Sequence, residues 1–275
     1  MNKIKIVADS GSDVLSLPDV EFASAPLKII TEEGQYVDDA SLDVEKMASE
    51  MQGYKGKSST SCPSPDDWIE AFGDAEEIIC VTITALLSGS YNTACIAKQI
   101  YEEKHPQRRV FVINSRSTGP EMGLIIERMR EMIISGCSFD EIISRISDYN
   151  AELLFVLSSM KNLVNNGRVS PIAAKLAGML GIRAIGRASD EGILEMLCKA
   201  KGDAKAVEAM VRIMAERGYR GGRVKLSHCL NEPLAAMMKK AIIERYPEAE
   251  VEIGRLRGLC SFYAEKSGMI VGYEI

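Results

Sequence analysis

The sequence predicts an α/β protein in two parts: an N-terminal parallel sheet flanked by helices, and a C-terminal α/β domain on a mixed sheet. Three observations carry this. In the first half, short apolar runs alternate with helical patterns, which implies parallel strands joined by right-handed crossovers. In the second half, runs at 182–187 and 192–200 flank Ala188-Ser189-Asp190-Glu191 and read as a hairpin, so antiparallel pairing enters. Of 275 residues, 46% are hydrophobic and 26% charged, enough to bury a sizeable core and inconsistent with disorder. We expect a boundary near Asn150, giving domains 1–150 and 151–275.

Residues 4–8 read as a buried strand ending at Asp9-Ser10-Gly11-Ser12-Asp13, and 22–30 as a second extended run. A helix is expected at 42–51 and a loop at 54–62. Ser64-Pro65-Asp66-Asp67 starts the next helix: Ser64 caps it, Pro65 suits the first position, and both aspartates favour the positive end of the dipole. Strands follow at 78–83 and 110–114, with helices at 90–103 and 121–135; the last carries apolar residues at one-face spacing. Beyond Asn150 we expect a strand at 153–157, a turn at 165–168 and a small apolar helix at 171–180. Helices at 204–216 and 233–246 then alternate with strands at 223–228, 250–256 and 269–273.

Composition excludes several functions. A net charge of −6 argues against nucleic-acid binding and against docking on an anionic membrane. Seven scattered cysteines, none in a C-x-x-C pair, suit reduced thiols better than a disulfide framework or a zinc site. Only His105 and His228 are present, so histidine metal sites and Ser-His triads lack material. His105 suits a helix end, and His228 reads as a satisfied core histidine. Standard nucleotide-binding loops are missing. The N-terminus has no apolar signal-peptide core and no run approaches a spanning helix, so we expect a cytoplasmic protein without membrane insertion.

What remains is a set of hydroxyl-rich loops at the carboxyl ends of the expected parallel strands, where open α/β sheets bind ligands. They are Asp9–Asp13, Thr60-Ser61-Cys62-Pro63-Ser64-Pro65, Leu87-Ser88-Gly89-Ser90-Tyr91-Asn92-Thr93-Ala94 and Asn114-Ser115. Helix N-termini there favour a carboxylate or phosphate, and Thr60 with Ser88 adds donors without charge. In the second half, Met160, Leu163, Ile172, Leu176, Met179, Leu180, Ile182 and Ile185 form an apolar set suited to an aliphatic tail.

In these pieces the chain resembles the DegV family of bacterial fatty-acid-binding proteins. Ile6-Val7-Ala8-Asp9-Ser10-Gly11-Ser12-Asp13 is similar to I-x-x-D-S-T-x-D, Thr60–Pro65 to T-S-Q-P-S-P, and Leu87–Ala94 to L-S-G-T-Y-x-x-A. Asn166-Gly167-Arg168-Val169-Ser170 is similar to G-G-R-I-S, and the pieces occur in family order along most of the chain. The resemblance implies a fatty-acid carrier without catalytic residues or cofactor, its ligand's carboxylate held by Thr60, Ser61, Ser88 and Gly89. It also implies Arg168 at the mouth, meeting a fatty-acid kinase that phosphorylates the exposed carboxylate. The chain departs from the family's H-x-G-P-G segment: its counterpart, residues 256–264, has no histidine, and Ser261 or Tyr263 is left as the donor. Two other readings stand beside it. One is a hydrolase or phosphotransferase acting on a small metabolite, with Ser88 as nucleophile and Asp9 as base. The other is a redox or metal sensor using Cys62 and Cys260.

Overall fold

Buried strands and capped helices alternate along the computed structural model, which describes residues 4–170 and 181–275. The strands are β1 Ile4–Asp9, β2 Phe22–Ala25, β3 Lys28–Thr31, β4 Gly34–Val37, β5 Ser58–Ser61, β6 Glu77–Thr82 and β7 Arg109–Asn114. They continue with β8 Ala151–Leu157, β9 Ile182–Ala188, β10 Leu194–Lys201, β11 Arg223–His228, β12 Glu250–Arg255 and β13 Met269–Glu274. The helices are α1 Val44–Gly53, α2 Pro65–Phe72, α3 Ser90–Lys104, α4 Gly119–Ile134 and α5 Phe139–Ile146. After them come α6 Lys161–Asn165, α7 Asp203–Glu216, α8 Glu232–Arg245 and α9 Gly258–Ala264.

The first sheet runs β2-β1-β6-β7, all parallel. Its strands are apolar on both faces because helices cover both. Val7, Ile78 and Cys80 pack against Trp68, Phe72 and Tyr101 of α2 and α3. Ile6, Ala8, Ile79 and Val81 pack against Met122, Ile126, Phe139 and Ile142 of α4 and α5. The second sheet, β10-β9-β8-β13-β11-β12, is mixed: β11 and β12 are parallel and the other pairs antiparallel. Helices α7 and α8 cover one of its faces. Helix α4 packs on β13, so it serves both sheets. Gly272 permits this: a Cβ there would stand 2.5 Å from the Glu121 nitrogen.

The sequence expectation differs at four places. The run 22–30 is two strands, because Pro26 lacks an N–H and interrupts the ladder. The expected loop 54–62 contains β5, which completes a small antiparallel sheet β4-β3-β5; its Ser-Ser-Thr-Ser sequence shows no apolar alternation. Helix α5 is absent from the expectation, although a capping box between Ser138 and Glu141 and the one-face spacing of Phe139, Ile142, Ile143 and Ile146 announce it. Helix α9 has a non-local cap. Asp38 accepts from the nitrogens of Gly258 at 2.8 Å and Leu259 at 2.9 Å, 220 and 221 residues away. The helix expected at 171–180 lies outside the described residues. Among the described residues no helix is long and apolar enough to cross a membrane.

Candidate functional site

Strand alternation builds the apolar part of the site. Along β8, Leu154 and Val156 turn toward α7 and α8, while Leu153, Phe155 and Leu157 turn the other way and line an apolar pocket. Leu163 of α6 and Ile270 of β13 continue this wall. The opposite wall comes from the first half of the chain, with Leu27, Ile83, Leu87 and Thr118, and Leu259 of α9 joins it.

A polar rim meets this apolar volume at Thr60, Ser88, Arg168 and Tyr263. Thr60 and Tyr263 share a hydroxyl–hydroxyl bond of 2.7 Å. One proton lies in that bond, so the second is left to donate elsewhere. The Ser88 oxygen accepts from the Ser90 nitrogen at 3.3 Å, which likewise leaves the Ser88 proton available. Arg168 donates from Nε to the Leu87 carbonyl at 3.0 Å and from a terminal nitrogen to the Asn166 carbonyl. The guanidinium is thereby fixed at the rim. Burial raises the Tyr263 hydroxyl above its usual range, opposed by the bond from Thr60 and the charge of Arg168. It stays neutral at physiological pH.

Buried carboxyls hold the rim loops. Asp9 accepts from the Ser90 hydroxyl at 2.5 Å and the Ile83 nitrogen at 2.9 Å on one oxygen, and from the Gly11 nitrogen at 3.2 Å on the other. Burial pushes its pKa up to about 7 despite these bonds. Asp13 accepts from the Arg257 nitrogen at 2.8 Å, and burial raises it to about 8. Asp38 is raised by burial too, offset by the Leu259 and Gly258 bonds. These groups set the loop carrying Ser88 and the helix carrying Tyr263.

The structure brings together Thr60, Ser88, Leu163 and Arg168 of the residues expected from sequence, and adds Tyr263 rather than Ser261. The Ser261 hydroxyl donates to the Leu256 carbonyl at 3.0 Å instead. Ser61 ends β5, opposite Lys28. Gly89 precedes α3, where a Cβ would meet the Cys62 sulfur at 3.2 Å. Met160 is buried in the cluster behind the pocket. Ile185 corrects the expectation: it is the cross-strand partner of Val156 and shares its face under α7 and α8. The period of two turns it away from the pocket. Ile172, Leu176, Met179 and Leu180 lie outside the described residues. Sequence reasoning missed Thr118 and the β8 residues. Their signal was the parity of β8, together with small residues at three of the four same-face positions of β9: Ala184, Gly186 and Ala188, after Ile182.

The pairing required of a serine hydrolase is not formed. Asp9 binds the Ser90 hydroxyl, and among the described residues no basic side chain bonds Ser88. Cys62 and Cys260 are free thiols; Cys260 is buried beside Thr118 at 3.5 Å, and burial raises its thiol well above the usual range. His228 is buried and accepts from the Asn231 nitrogen at 3.2 Å. His105 closes α3. Among the described residues no group of three or more His, Cys, Asp or Glu is placed to hold a metal.

Fold and site define a class: an α/β protein built on one parallel and one larger mixed sheet, with an apolar pocket beneath a hydroxyl and arginine rim. The chain belongs to the DegV family, whose model, described as "Uncharacterised protein, DegV family", matches residues 3–274. A DegV domain-containing protein of Streptococcus pneumoniae is 43% identical over 277 residues, covering 98% of this chain and 99% of that one. A Eubacterium eligens DegV family protein loaded with heptadecanoic acid is 42% identical, with a TM-score of 0.97 over 98% of this chain and 99% of its own. The Streptococcus pneumoniae fatty acid kinase B3 protein loaded with linoleic acid is 43% identical, with a TM-score of 0.97 over 100% of both chains. The family and the two-part α/β fold expected from the motifs are thus confirmed.

Proposed function

We propose that this protein binds a long-chain fatty acid and presents its carboxylate to a fatty-acid kinase for acyl-phosphate formation. The observation that carries this is the meeting of an apolar volume with uncommitted hydroxyl protons at Thr60/Tyr263 and Ser88. Burying a sixteen-carbon tail contributes a gross ~12 kcal/mol at ~0.8 kcal/mol per methylene. Ordering the tail and losing its freedom offset part of that gain. The rim supplies orientation, with donors placed for a carboxylate and the Arg168 charge beside them. Related proteins over 40% identical carry heptadecanoic and linoleic acid, which supports the same ligand class here.

In this reading the protein is a carrier and the kinase performs the chemistry. Arg168, at the rim, is the residue best placed to meet the kinase or the transferred phosphoryl group. The test is native mass spectrometry and solvent extraction of purified protein, followed by addition of palmitate. A co-purifying acid, or stoichiometric uptake, is expected. Absence of both overturns the proposal.

A further inference from the structure

Phe155 is the bulkiest described side chain that the six-stranded sheet gives to the pocket. It sits in a row across three strands, paired with Gly186 on β9 and Ile270 on β13. Residues in register on neighbouring strands face the same side. Phe155 therefore has a side chain on one flank and none on the other. Its ring fills the empty flank: a Cβ on Gly186 would stand 2.2 Å from Phe155 Cζ and 2.7 Å from Cε2. A ring tip that close to the next strand's backbone means the ring lies down along the sheet. Strand side chains more often stand perpendicular to it.

The posture matters because of where the row falls. Leu157 ends β8 on the side where the chain continues into α6 and Arg168 of the rim, and Leu153 lies at the other end of the pocket-facing row, which we take as the deep end. Four residues of strand separate them by about 13 Å, and Phe155 is midway. A standing ring at this level would cross the path of any tail descending from the rim.

We infer that Gly186 is a specificity-determining residue that never touches the ligand: by giving the Phe155 ring a bed, it lets long acyl tails pass to the deep end. This rests on the fatty-acid reading above and adds to it a device that selects tail length. In Gly186→Ala the new methyl lifts the ring into the passage. Affinity for octadecanoic acid is expected to fall about tenfold or more, and that for decanoic acid much less. Adding Phe155→Leu to Gly186→Ala is expected to restore octadecanoic acid binding.

The same Cβ would also stand 2.3 Å from the Glu195 carbonyl, so the β9–β10 hairpin can be disturbed directly. Phe155→Trp leaves that hairpin's sequence intact while placing a ring too large for the bed, and the same length-selective loss is expected. Should Gly186→Ala fail to fold, Phe155→Trp decides. Isothermal titration with both acids reads every arm. An equal loss for both acids, no loss, or failure of Phe155→Leu to restore binding overturns the inference. Wild-type protein that binds neither acid would instead overturn the fatty-acid reading itself.

Discussion

The two faces of the six-stranded sheet are made from alternate residues of the same strands, yet one is a packed core and the other a pocket. On the first, Leu154, Val156 and Ile185 meet Val207, Met210 and Met214 of α7 and Leu234 and Met238 of α8. On the second, Leu153, Phe155 and Leu157 join a smaller cluster with Leu163, Ala264 and Ile270 and line the pocket across from Ile83 and Leu87. The apolar character is the same. What differs is whether the covering layer brings enough side-chain volume, and beside Phe155, Leu157 and Leu153 β9 offers the small Gly186, Ala184 and Ala188. Hydrophobicity thus marks what is buried, and volume complementarity decides whether a ligand is needed to fill the space.

That contrast can be broken by truncating each face in turn. Leu154→Ala is expected to lower the unfolding free energy by about 2–5 kcal/mol, because the surrounding core cannot collapse into the hole. Leu157→Ala should lower that of ligand-free protein by less than half as much, since its side chain already lacks neighbours on one side. Urea denaturation compares the two, and equal losses would show that the second face is closed as tightly as the first.

At the rim, Ser88→Ala is expected to weaken fatty-acid affinity by about 1.5–3 kcal/mol, the range for losing a hydrogen bond to a charged group. Calorimetric titration checks it; unchanged affinity removes Ser88 from the clamp. A fourth substitution sharpens the comparison from between the sheets. Glu121, bonded to the Ser117 hydroxyl, is pushed by burial to about 8. Between its unfolded value near pH 4.5 and pH 8, the folded state keeps a proton that the unfolded chain has released. Its contribution to stability is fully present below that unfolded value and is lost as pH rises through 8. Glu121→Gln should therefore reduce the fall in stability between pH 6 and 9 by on the order of 2 kcal/mol, leaving the part due to Asp9 and Asp13. The smallest effect is expected from Tyr263→His. The rim hydroxyls do not titrate between pH 8 and 6, so the variant is read as its difference from wild type at each pH, Asp9 and Asp13 contributing to both. The imidazole, with an ordinary pKa of about 6.5, gains charge as pH falls and should tighten carboxylate binding by ~1 kcal/mol over that interval. A flat difference would place the ring away from the ligand's head.

Much of this architecture was legible because it is local. The buried runs of β1 and β6, the Ser64-Pro65 start of α2 and the hairpin around Ser189 each announce themselves within a few residues. Thr60, Ser88 and Arg168 were found because they sit in ordered motifs. What stayed hidden depends on partners far along the chain. Helix α9 takes its cap from Asp38, and the choice of Tyr263 over Ser261, both named from sequence, is made only by Thr60, 203 residues earlier. Ile185 was misplaced for a different reason. The apolar run containing it is right, but a one-residue difference in strand parity selects the opposite face.

The placement of α9 has a consequence for biogenesis. Tyr263 and Leu259, which complete the pocket, come from α9, far along the chain from Thr60 and Ser88. Until α9 has left the ribosome, the segments bearing Thr60 and Ser88 wait without that wall. A nascent chain released by a stop before α9 therefore lacks the element that closes the pocket.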